Sequence, residues 1–247
     1  LDIRARGASK TYDNMMLALY LAYLGLNVIW FGATFFHLMQ PKAYFHELID
    51  TSFLKYCLID KNDYLKRSVR FANGGSLIIV NLNERTARSL RGDVVIYDEE
   101  CMMDKTCVDD SEYVLSASEI SLCIHCSTPI KNTVFHENYK KLKHLEHVTG
   151  LQHVFQRKWF EVSYLKKREK YYLQKRKHAE KNGTLWHFLQ ENECMFTTPS
   201  GMVFHNIVSD PAEFPDYVHA VYNDHDNDKL QGKYLSGWDG NLAEPHR

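Results

Sequence analysis

The chain has 247 residues, 45% of them hydrophobic and 25% charged, with a formal net charge of −1. That composition excludes a disordered polyelectrolyte and supports one large domain, or one domain and a piece of another. No global positive field advertises nucleic acid, so any such contact must come from local patches, and six cysteines without a secreted-scaffold spacing point to a reducing, intracellular setting.

The first residues, LDIRARGASKT, lie already at a loop with almost no strand before it and without an initiator Met, while the last, SGWDGNLAEPHR, stop as a further strand begins. Both ends read as cut, and a longer protein is expected. Residues 4–11, RARGASKT, precede a long helical pattern, and Lys10-Thr11 matches the end of the phosphate-binding loop GxxxxGK(S/T). Arg4 and Ser9 stand where that pattern has its two glycines, which leaves Gly7 as the residue free to take unusual dihedrals. The chemical requirements survive: backbone N–H groups of Gly7, Ala8 and Ser9 at a helix N-terminus, Lys10 to reach phosphates, and the Thr11 hydroxyl for Mg²⁺. A plain basic turn before a helix is the competing reading.

Residues 15–39 carry no formal charge, yet MMLALYLAYLG reads as a helix ending at Gly25, and NVIWFGA as a buried strand, so a βαβ unit with its first strand mostly missing is preferred to a membrane span. A helix over 37–49, with Pro41 near its first turn, and a hairpin over 67–82 around Asn73-Gly74-Gly75 follow. Val94 to Tyr97 are four β-branched or aromatic residues in a row, a strand buried on both faces, and Asp98 and Glu99 come at its carboxyl end. Acids there suit a divalent metal and a water to be activated: Asp98 would hold Mg²⁺ and Glu99 would polarise water. A solvated acidic turn is the alternative. Residues 104–110 read as loop, 112–120 as a short helix, and SLCIHC as a further buried strand stopped by Ser127-Thr128-Pro129, whose hydroxyls could face a γ-phosphate. Cys123 and Cys126 form a CxxC, but without a second pair at metal-site spacing they read as buried thiols. The stretch 140–181 is rich in Lys, Arg and His and reads as a solvated helix face, with interleaved tyrosines keeping nucleic acid open. A helix-to-strand passage around 185–207 and an acidic, Asn- and Pro-containing linker follow.

In this order the stations resemble the large terminase subunit of tailed bacteriophages and related viruses, the ATPase-nuclease that packages DNA. RGASKT is similar to that family's deviant Walker A loop, with Arg6 four positions before the lysine; SLRGDVVIYDEE resembles its Walker B segment. LCIHCSTP is similar to the segment that couples hydrolysis to movement, and Gln190 and Glu191 match the polar pair that closes the ATPase domain. GWDGN resembles the opening of the RNase H-like nuclease domain, whose first metal-binding aspartate would be Asp239. The resemblance implies an α/β P-loop NTPase with a mainly parallel central sheet flanked by helices over residues 1–208, a linker over 209–232, and the first strand of the nuclease domain over 233–247. It also implies ATP and Mg²⁺ as cofactors, with Arg6 offsetting developing charge. Double-stranded DNA, a small terminase subunit, a portal protein and a pentameric homo-oligomer would be the partners. Its place would be the host cytoplasm, transiently at the portal, with no membrane contact. The later nuclease carboxylates are missing, so no nuclease activity is expected of these residues alone. A helicase-like ATPase and a non-catalytic binding module with a degenerate loop are the competing functions.

Overall fold

A computed structural model of the chain describes residues 1–59 and 68–197. Seven strands run through them: β1 (Asp2–Arg4), β2 (Asn27–Gly32), β3 (Ser68–Arg70), β4 (Ser76–Asn81), β5 (Val94–Asp98), β6 (Leu122–Cys126) and β7 (Phe155–Arg157). They form one sheet in the order β3-β4-β2-β5-β6-β1-β7, parallel throughout except where β3 turns back on β4. The helices are α1 (Lys10–Tyr23), α2 (Met39–Thr51), α3 (Glu84–Ser89), α4 (Lys105–Ser111), α5 (Val134–Thr149), α6 (Ser163–Lys166), α7 (Glu169–Lys181) and α8 (Leu185–Glu193). A mainly parallel sheet flanked by helices is the architecture expected.

The unbroken apolar runs become central strands because both of their faces are covered. Along β2 and β5 successive side chains point to opposite faces. Val28, Trp30, Val94 and Ile96 join Met15, Leu19 and Phe45 of α1 and α2 on one face. Ile29, Phe31, Val95 and Tyr97 join Ala87 of α3 and Val108 of α4 on the other. Each such fully buried side chain contributes roughly 1.5–3 kcal/mol. A third cluster, with Ile3, Phe135, Trp159, Leu165, Tyr172 and Phe188, packs α5 to α8 beside β1 and β7. Helix α1 stops as read: Gly25, at φ 104°, takes the left-handed turn and its N–H bonds Ala22 O at 3.0 Å. Among the described residues no helix is long and apolar enough to cross a membrane.

Four local readings are corrected. The strand ahead of the phosphate loop is present: Asp2–Arg4 pairs with both β6 and β7, although Asp2 and Arg4 hide it from a hydrophobic pattern. Residues 105–111 are helical, not loop, because Asp104 caps them, its carboxylate accepting from Cys107 N at 3.2 Å. Only Glu112–Leu115 of the next stretch is helical, as one 3₁₀ turn. The basic stretch over 140–181 is interrupted by Gly150 at φ 71°, by edge strand β7 and by a 3₁₀ turn at Trp159–Glu161 before α6 and α7 resume. The expected strand after α8, the linker, the nuclease start and Asp239 lie outside the described residues.

Candidate active site

The loops following β1, β5 and β6 leave the sheet at the same edge, the carboxyl ends of parallel strands, where open α/β sheets bind ligands. The loop after β1 is fastened from outside: Ala5 N donates to Arg157 O at 2.9 Å and Arg6 N to Glu191 O at 2.7 Å. Gly7 at φ 84° and Ser9 at φ 56° both take left-handed backbone, so Ser9 adopts the conformation that the loop pattern reserves for glycine. That strains the backbone by roughly 1 kcal/mol. Tyr164 braces the turn, its hydroxyl donating to Gly7 O at 2.9 Å and lying 3.2 Å from Ser9 Oγ. Arg4, in the other glycine position, is tied to Asp2 at 2.9 Å and to Asp13. Lys10 and Thr11 then open the 14-residue α1, whose N-terminal N–H groups point into a cleft of 690 Å³.

Strand β6 lies between β1 and β5, so Lys10 reaches across its end to the acids, placing Nζ 3.8 Å from Glu99 Oε1. Burial works against the lysine's charge, but Glu99 and Asp98 together raise its pKa above the ordinary value. Asp98 is 2% exposed, and burial pushes its pKa up to about 7 even though Lys10 and the Thr11 hydroxyl favour the charged form. Glu99 sits in left-handed backbone at φ 59°, a second strained residue in the same cleft. The third acid, Glu100, turns inward and is fully buried. It accepts from Asn138 Nδ2 at 2.7 Å and pairs with His125 Nδ1 at 3.0 Å. Burial disfavours charge on His125, yet its bonds to Cys123 and Glu100 outweigh that and hold its pKa up at about 10.

Of the polar segment after β6, Thr128 and Pro129 line the cleft, whereas Ser127 is fully buried and its hydroxyl accepts from Cys101 N at 2.9 Å, tying the segment to the turn that follows the acids. Arg6 lies at the rim with its side chain 73% exposed and Nη1 3.7 Å from Glu191 Oε2. Gln190 and Glu191 line the cleft beside it, and Gln190 Oε1 accepts from Thr197 Oγ1 at 2.9 Å. Sequence reasoning passed over Tyr12, His37, Gln40 and Tyr44 as site residues and read Tyr164 only among the interleaved tyrosines of the basic stretch. The first four complete the cleft wall, and Tyr12 meets Tyr44 edge-on at 5.1 Å. Tyr12 was findable, since it follows the Lys-Thr pair directly.

The donor set suits Mg²⁺. Asp98 Oδ1 is buried without a hydrogen-bond partner, beside the Thr11 hydroxyl. An ion that keeps most of its waters and shares a nucleotide's phosphates needs one carboxylate and one hydroxyl from protein, not an all-protein cage. The described residues contain no group of three or more His, Cys, Asp or Glu able to hold a metal; of the CxxC expected to be two buried thiols, Cys126 is buried and Cys123 is partly exposed.

No protein-family model matches the sequence, and no curated protein matches it. Among solved structures it is similar to the large terminase ATPase domain of Thermus phage P74-26, with a TM-score of 0.60 at 14% identity, covering 80% of this chain and 88% of that one. A point mutant of that domain, with an arginine changed to alanine, aligns with a TM-score of 0.54 at 15% identity over the same shares. What is common at such identities is the fold, that of a phage terminase ATPase domain.

Proposed function

We propose that this chain, built on the fold of phage terminase ATPase domains, is the ATP-hydrolysing motor of viral double-stranded DNA packaging. The observation that carries the reading is the cleft itself: Lys10 and Thr11 open a helix directly against Asp98, whose buried Oδ1 lacks a partner, with Glu99 at its side. The loop N–H groups and Lys10 hold the β- and γ-phosphates. Thr11 and Asp98 hold Mg²⁺, which when bound neutralises phosphate charge. Glu99, at the cleft end of β5 beside Lys10, orients the attacking water and draws its proton. Arg6, exposed at the rim, is free to swing from Glu191 towards charge developing on the transferred phosphoryl group. Asp239 would be a metal ligand of an RNase H-like nuclease. The small terminase subunit, the portal and a ring of five copies would complete the machine, assembled in the host cytoplasm at the portal.

ATP turnover tests this. Glu99→Ala is expected to lower kcat by about 10²–10⁴-fold, and Lys10→Ala to remove nucleotide binding. Turnover that survives both changes would sink the assignment, and unwinding of duplex DNA by the intact protein would favour a helicase.

A further inference from the structure

The segment running through α6 and α7 concentrates charge that the rest of the chain does not have. Residues 163–181 hold eight Lys or Arg against two Glu, in a chain whose net charge is −1. The inward cations are employed: Arg176 pairs with Glu193 at 3.0 Å and Lys175 reaches Asn192 at 3.5 Å, fixing α7 to α8. The outward ones are not. Lys166, Lys167 and Lys170 are exposed, make no ion pair with any described carboxylate, and line one hollow of 450 Å³ with Arg168, Glu169 and Tyr171. Arg168 lies over the Tyr171 ring at 4.8 Å, which leaves a flat cationic face open to solvent. Three ammonium groups around one hollow repel each other, and a bound polyanion relieves that repulsion while releasing its own counterions.

The same segment grips the phosphate loop. Tyr164, two residues before Lys166, is the hydroxyl that bonds Gly7 O and Ser9 Oγ. Leu165 is buried beside them, within 3.8 Å of where a side chain on Gly7 would begin. A ligand held at the hollow therefore acts on a segment whose neighbouring residue holds the strained turn of the loop.

We propose that the α6–α7 hollow is a docking surface for the backbone phosphates of duplex nucleic acid, and that Tyr164 transmits its occupancy to the phosphate loop. The surface rests on the motor reading above for its choice of polyanion, and Tyr164 is a positioning residue acting through Gly7 and Ser9. The kind of charge supports it. Unspecific backbone contact needs clustered point charges and not hydrogen-bonding base readers, and lysines on an open hollow supply that.

Binding of a duplex of about 30 base pairs and arbitrary sequence to the whole chain, followed by anisotropy over a salt series, tests the surface. Replacing Lys166, Lys167 and Lys170 with Gln together should weaken binding at low salt by at least about tenfold and flatten the log K against log salt slope by about 2–3, since each lost phosphate contact removes about 0.9. The same change at Lys140, Lys141 and Lys143 of α5 should leave the slope within about one of the parent. No duplex binding by the parent chain, an unchanged slope in the first variant, or an equal loss in the second would overturn the surface. Tyr164→Phe removes only the hydroxyl: duplex binding should persist, while the change in affinity for a fluorescent ATP analogue on adding duplex should disappear. Persistence of that change would overturn the link. Duplex binding through these lysines in a chain without ATP turnover would refute the motor and leave the surface standing; turnover with an unaltered slope would do the opposite.

Discussion

Replacing Asp98 with Asn should stabilise the nucleotide-free protein while destroying its use of Mg·ATP. The folded chain holds the Asp98 proton up to about pH 7, against an ordinary carboxylate value of 3.8, because burial penalises the charge and the neighbouring Glu99 carboxylate repels it, against the attraction of Lys10. A folded-state pKa raised above the unfolded one means that the native chain binds the extra proton between these values. Stability is therefore greatest below the unfolded pKa and falls as pH rises towards 7. At 1.36 kcal/mol per unit the loss by pH 7.5 has a ceiling of about 4 kcal/mol. Asparagine removes the charge but forfeits the attraction to Lys10 and needs hydrogen bonds of its own, so a net gain of about 1–2 kcal/mol is expected at pH 7.5. At pH 5, where the native carboxyl is already neutral, most of the gain should vanish. Urea unfolding at the two pH values measures it, with the slope m as a check that both proteins unfold the same way. Mg·ATP should raise the midpoint of the parent and not of the variant, since only a ligand bound by the native state stabilises it. A variant less stable than the parent at pH 7.5, or a gain equal at both pH values, would refute the claim that Asp98 is a charge stored for a cation.

Glu100→Gln strands the buried, protonated His125 and should destabilise the fold by about 3–5 kcal/mol. His125, raised to about 10 from 6.5, contributes stability that is complete below 6.5 and lost as pH rises through 10. The parent should therefore lose stability between pH 7 and 9 more steeply than Glu100→Gln does, and a parallel decline would contradict the pairing. Gly75→Ala, a change far from the cleft, would push a methyl to within 2.0 Å of the backbone oxygen of Ala22. It should cost about 3 kcal/mol in urea unfolding; a loss below about 0.5 kcal/mol, the range of an ordinary surface change, would mean that the α1–β4 contact is looser than described.

The sequence by itself determined the elements whose signal is local. Consecutive Val94, Val95, Ile96 and Tyr97 could only be a strand covered on both faces, Gly25 ended α1, and Asn73-Gly74-Gly75 turned the β3–β4 hairpin. It also put Lys10, Thr11, Asp98 and Glu99 at element ends, where open α/β sheets form their ligand clefts. Tertiary structure decided what depends on partners distant in the chain. Asp2–Arg4 and Phe155–Arg157 are strands because each supplies the hydrogen bonds the other lacks, which three polar-flanked residues cannot advertise alone. Ser127 and Thr128, adjacent in sequence, were given one role, yet one is buried beneath the turn after the acids and the other faces the cleft, since successive residues leaving a strand point opposite ways. Tyr164 reads as one aromatic in a basic run until the fold carries it across 157 positions to Gly7. Backbone period and turn chemistry are properties of neighbours in the chain, whereas burial of a charge, the pairing of Glu100 with His125 and the bracing of a strained loop are properties of neighbours in space.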